Sequence, residues 1–139
     1  MHCKWALLFF VSFASMSSVS DAAQAQPAEP AERVKATLNC GSHSADIRNM
    51  KSFQFDLQFN VYESLWMVDR KPGQGGDEKF RGILSPTGAM LIAGLGKSDD
   101  GVRWSYEFSG QKNSRGITIL KGSLRSEQPK GMRSCSLSF

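Results

Sequence analysis

Apolar and polar residues alternate strictly over much of the chain. In 33–40, Val34, Ala36, Leu38 and Cys40 alternate with Arg33, Lys35, Thr37 and Asn39. In 52–61, Phe53, Phe55, Leu57, Phe59 and Val61 alternate with Ser52, Gln54, Asp56, Gln58 and Asn60. Val102, Trp104, Tyr106 and Phe108 repeat the pattern, and Cys135, Leu137 and Phe139 close it between serines, with Arg133 in their phase. A period of two sets one side of a strand against apolar surroundings and the other against water. With the shorter apolar runs it predicts strands near 33–40, 52–61, 64–69, 79–84, 89–95, 102–109, 117–124 and 132–139. The phase slips once: Ile117 and Ile119 share one face while Leu120 and Leu124 share the other, so a bulge is expected near Gly122. Residues 41–50 fit a short strand or a turn of helix.

Turn chemistry separates the runs. Ser85-Pro86-Thr87-Gly88 suits a type I turn, with Pro second and Gly fourth. The stretches 97–101, 111–116 and 126–131 are polar and hairpin-sized, and the glycine-rich 71–78 is a longer connection. About eight short antiparallel strands in one small domain mean a β-barrel, with a β-sandwich as the alternative.

The N-terminus has a different character. Lys4 precedes an apolar run from Trp5 to Met16, and small residues follow up to Ala23-Gln24-Ala25. The run is too short for a bilayer-spanning helix and suits a secretory signal peptide over 1–25, with cleavage after Ala25 or, alternatively, Ser20. Residues 26–32 then form a flexible, Pro-containing lead, and 33–139 form a single domain. No transmembrane helix is expected after cleavage, and the expected location is periplasmic or secreted.

Export changes the reading of cysteine. Cleavage after Ala25 removes Cys3 and leaves Cys40 and Cys135, an even pair that reads as one disulfide in an oxidising compartment. Both fall on the apolar phase, one in the first strand and one in the last. A bridge there pins together the two ends of the sheet, as closing a barrel requires. The competing use, a metal half-site Cys40-Gly-Ser-His43, lacks further histidines in the mature chain to complete a zinc set.

Charge narrows the partners. The chain carries 17 Lys and Arg against 13 Asp and Glu, a net +4. Residues 101–139 concentrate it, with seven basic residues against Glu107 and Glu127. Arg103, Arg115, Lys121, Arg125 and Arg133 are therefore candidate contacts for an anionic partner, such as lipid headgroups, cell-wall polymer or an acidic protein. An exported chain without a basic–aromatic repeat is not expected to meet nucleic acid. Trp66, Trp104, Tyr106 and Phe108 are candidate cavity residues for a small apolar ligand in a barrel mouth.

Catalytic chemistry is not expected. No serine sits in a G-x-S-x-G elbow, and His43, the mature chain's sole histidine, reads as an exposed turn residue. Gly94-Leu-Gly-Lys-Ser98 imitates a phosphate loop but has Leu91 where its first glycine belongs and joins strand to strand. Asp77-Glu78 and Asp99-Asp100 read as solvated turn acids. No cofactor or metal is implied. The expected function is an exported, non-catalytic binding or interaction protein of the envelope.

Two alternatives remain. The pairing of a cysteine in 33–40 with one in 132–139 resembles small exported barrels that inhibit lysozyme, which implies a periplasmic lysozyme-binding protein. The Ser-Gly-x-x-Tyr segment those inhibitors use has no counterpart, since Ser109-Gly110-Gln-Lys-Asn113 lacks the tyrosine. The terminal Phe139, in phase with Leu137 and Cys135, is also similar to the last strand of an outer-membrane barrel.

Overall fold

The computed structural model describes residues 28–45, 51–72, 75–112, 115–116 and 119–139. The leader reading over 1–25 lies outside them. The described residues form an all-β, closed barrel of eight antiparallel strands with no helix. The strands are β1 (Glu32–Cys40), β2 (Phe53–Tyr62), β3 (Leu65–Arg70), β4 (Asp77–Leu84), β5 (Ala89–Lys97), β6 (Arg103–Gln111), β7 (Leu120–Glu127) and β8 (Lys130–Ser138). Each pairs with the next, and β8 returns to β1, so every strand has two neighbours and no edge remains. This resolves barrel against sandwich. Cys40 and Cys135 face each other in the β1–β8 ladder and are disulfide-bonded.

The turns follow their chemistry. Gly88 N–H bonds the Ser85 carbonyl at 3.0 Å, closing the expected Ser-Pro-Thr-Gly turn. The lead is shorter than expected, because Glu32 already belongs to β1 and Ala31 N–H bonds the Val61 carbonyl. Strand β7 departs further. It runs from Leu120 to Glu127, and its ladders to β6 and β8 pass through Gly122 without a bulge. The strand begins after the phase slip, at Leu120, and the turn at Gln128-Pro129 brings Glu127 opposite Lys130 as an oppositely charged pair. With the strand shifted, Leu120 and Leu124 point inward, and exposed Ile119 stands before the strand. Ile117 lies outside the described residues.

An eight-stranded barrel has an interior just wide enough for side chains. Leu38, Phe59, Phe80, Met90, Ile92, Leu120 and Leu137 fill it and are fully buried. Large residues face glycines across the wall. Phe80 and Tyr106 meet over Gly94 with ring centroids 5.0 Å apart, and a Cβ at Gly94 would lie 2.7 Å from the Phe80 ring. The outer positions of the same strands carry Lys35, Asp56, Lys79 and Glu107.

The meander sorts connections between two rims. One rim holds the turns at 63–64 and 85–88 and the chain end, where Phe139 packs on Phe59 and Trp66 at 5.9 and 5.4 Å. The other gathers the connections after β1, β3, β5 and β7. This second rim is where polar chemistry enters the barrel.

Candidate functional sites

One inward row at the second rim is polar. Pairing places Arg70, Glu78, Gly96, Trp104, Ser126 and Gly131 side by side across β3 to β8. Glu78 is only 2% exposed. Its Oε2 stands 2.9 Å from Arg70 Nε, an ion pair whose N–H is not aligned as a hydrogen bond. Trp104 Nε1 donates to Glu78 Oε1 at 2.7 Å, reaching across β5 because Gly96 leaves the space. A Cβ at Gly96 would lie 2.0 Å from the indole. Tyr106, one step deeper, lies within the electrostatic reach of Glu78.

Burial, followed by the Glu78 charge, pushes the Tyr106 hydroxyl far above the ordinary tyrosine range. The folded barrel therefore keeps this phenol neutral. Above about pH 10 the unfolded chain gives up that proton and the barrel does not. Stability is thus expected to fall as pH rises past about 10, and Tyr106→Phe is expected to flatten that decline while costing about 1 kcal/mol at neutral pH. Urea melts of both proteins at pH 8 and 11 check this; parallel pH profiles would refute it.

His43 plugs the same rim. It is buried, not exposed as its turn-like surroundings suggest, and occupies the space left by Gly131, where a Cβ would lie 2.0 Å from its ring. Ala45 N–H donates to His43 Nδ1 at 3.1 Å, which places the ring proton on Nε2. Nε2 then donates to Ser126 Oγ at 2.8 Å, and Ser126 donates to the Pro129 carbonyl at 2.7 Å. The polarity is opposite to that of a nucleophile and its base, in which the histidine accepts from the serine.

Next to it, Arg133 points inward, in phase with Cys135 and Leu137. Its Nη1 donates to the Gly41 and Lys51 carbonyls, both at 2.7 Å, and its guanidinium lies over the Phe53 ring at 5.2 Å. Among these groups opens a cavity of about 330 Å³, whose apolar lining includes Phe53, Phe55, Val102, Trp104 and Leu124.

The second notable surface is the outer wall. Along β5 the outward positions Ala89, Leu91, Ala93 and Leu95 are all exposed and apolar. Leu91 pairs with Ile83, and Ile83 with Leu65, which extends the stripe across β4 to β3. Leu91 and Leu95 are 64% and 69% exposed, and Ile83 62%. A shallow groove of about 760 Å³ runs past Leu65, Ile83 and Leu91 to Lys121. Beyond it, Arg103, Lys121 and Arg125 stand on the exposed face of β6 and β7, with Lys97 at the head of the stripe. On the near side Arg81 pairs with Asp69 at 2.6 Å and holds its carboxyl below the usual range, chiefly through that hydrogen bond.

No family model, curated protein or solved structure matches this chain. Its own residues therefore carry the functional reading.

The residues singled out from the sequence divide between these places. Arg103, Lys121 and Arg125 do share an outer face, while Arg115 is exposed in the connection before β7. Arg133 differs: its strand phase turns it into the barrel, so it is not part of the basic face. Trp104 and Tyr106 line the rim cavity. Trp66 instead packs toward the opposite rim, and Phe108 lies in the core beneath Tyr106 at a ring distance of 6.1 Å. Cys40 is committed to its disulfide and cannot serve a metal beside His43. Glu78, Arg70 and the apolar stripe are additions from the structure. Glu78 sits two residues before Phe80 in the inward phase, a signal present in the sequence.

Proposed function

We propose that this protein is an exported, non-catalytic interaction module of the cell envelope, and that its β3–β7 outer wall docks on an anionic lipid surface. The observation that carries the reading is the exposed stripe of Leu65, Ile83, Leu91 and Leu95 beside Arg103, Lys121 and Arg125. A contiguous apolar patch on a small protein marks an interaction surface. Its cationic border selects a negatively charged, amphipathic surface, to which each Lys or Arg contributes about 1 kcal/mol. A disulfide across the barrel seam suits an oxidising compartment. His43 and Ser126, with their donor directions fixed away from nucleophilic use, favour binding over catalysis.

The alternation itself speaks against the spanning-barrel alternative. A membrane-spanning barrel is apolar outside and polar within, whereas here Phe59 and Phe80 are inside and Lys35, Asp56 and Lys79 outside. The lysozyme-inhibitor alternative loses its loop, since Ser109 and Gly110 lie within β6 with Gly110 against Leu120.

Co-sedimentation of the mature chain with phosphatidylglycerol-containing vesicles tests the reading. Binding is expected to exceed that to pure phosphatidylcholine and to weaken with salt. Leu91→Asp, or Lys121→Glu with Arg125→Glu, is expected to cut it at least about tenfold. Equal recovery on neutral vesicles, or a Leu91-dependent dimer that ignores vesicles, would overturn it.

A further inference from the structure

The rim cavity has a recognition chemistry distinct from that of the outer wall. Phe53 and Phe55 occupy successive inward positions of β2, and their rings stack 5.7 Å apart at an interplanar angle of 1°. Arg133 lies over Phe53, and the Arg70 guanidinium lies over Phe55 only 3.7 Å from its centroid. The mouth is thus lined by aromatic faces with a guanidinium against each.

The hydrogen-bonding capacity of the row is unevenly used. Glu78 is engaged by Arg70 and by the Trp104 indole, so its negative charge is met from within. Arg70 spends only Nε on Glu78, and no described residue takes up its two Nη groups. Those groups are planar donors in a fork, a geometry that matches a carboxylate better than any point cation does. Stacking on Phe55 holds the fork's plane in place. The cavity around it, about 330 Å³, is at the small end of ligand sites and has walls of aromatic and aliphatic carbon.

We infer that this cavity binds a small carboxylate bearing an apolar group, its carboxylate on the Arg70 fork and its hydrocarbon against Phe55, Trp104 and Leu124. A cationic ligand meets the Arg70 guanidinium before Glu78, whose side chain is 2% exposed, and a neutral one forgoes the fork.

Titration of the mature, oxidised chain with phenylacetate, followed calorimetrically and by amide NMR shifts, tests this. Saturable one-to-one binding is expected, about tenfold or more tighter than phenylacetamide, with benzylamine inactive. Val102→Trp fills the mouth without touching the ion pair and is expected to abolish binding while leaving the melting temperature within a few degrees. Arg70→Lys keeps a cation beside Glu78 but loses the fork, and is expected to weaken binding about tenfold. If that variant misfolds, Val102→Trp decides alone. Leu91→Asp, which disables the outer wall, is expected to bind phenylacetate normally. No saturable binding, equal affinity for the amide, or binding that survives Val102→Trp would overturn the inference.

Discussion

Replacing Cys40 and Cys135 together by alanine is expected to lower stability by about 4–5 kcal/mol, the largest single loss in this barrel. The bridge spans 95 positions, so in the unfolded chain it ties together nearly the whole domain. Chain-entropy reasoning makes such a long loop among the most effective to close, because the restriction falls on the denatured ensemble. The native side adds to this. The β1–β8 seam is held by a short ladder, from Thr37 opposite Ser138 to Cys40 opposite Cys135, whereas β1 pairs with β2 from Glu32 to Cys40. The seam is the last contact made by an up-and-down meander, and it joins the residues farthest apart in sequence. A domain of this size has about 5–15 kcal/mol in total, so the variant is left marginal. Urea melts of the oxidised protein and the double alanine variant measure the difference. A loss under about 1 kcal/mol would show that the bridge restrains neither the unfolded chain nor the seam. Reduction of the wild type should reproduce the effect.

The barrel is legible in the sequence because its inside and outside differ in polarity at nearly every step of β1, β2, β6 and β8. Where that contrast fails, so does the reading. The segment Ala89–Leu95 is apolar in both phases, and alternation is silent about which side faces water. The exposed stripe was hidden for that reason. Glu78 and Arg133 pose the converse problem. Both lie in the inward phase of their strands, two residues from Phe80 and Cys135. Their charge argues for solvent, and only cross-strand neighbours reveal how it is accommodated: Arg70 beside Glu78, and the Gly41 and Lys51 carbonyls at Arg133. His43 gave no periodic signal at all, since it reaches the rim from a connection. Its burial depends on Gly131, nearly ninety residues away in sequence, having no side chain. The bulge expected near Gly122 failed for a related reason. The phase slip was real, but the strand starts after it, at Leu120, instead of absorbing it.

Arg70→Met is expected to destabilise the barrel by about 3–5 kcal/mol, because it strands the Glu78 carboxylate at 2% exposure without its cation. The indole N–H of Trp104 stays in place, yet a neutral donor does not replace a full charge in a poorly solvated row. Glu78→Gln is expected to cost less, about 1–2 kcal/mol. Its amide oxygen still accepts from Trp104, and Arg70, with 24% of its side chain exposed, keeps access to water. The asymmetry follows from burial: the deeper partner depends more on the shallower one than the reverse. Arg70→Met with Glu78→Leu then removes both charges and fills the row with carbon, so it is expected to recover most of the single-variant loss. Chemical denaturation of the two singles and the double gives the coupling directly. If Arg70→Met and Glu78→Gln cost the same and the double simply adds them, the two groups act independently. The row would then be a set of separate contacts, and the reach of Trp104 over Gly96 would have to stabilise Glu78 by itself.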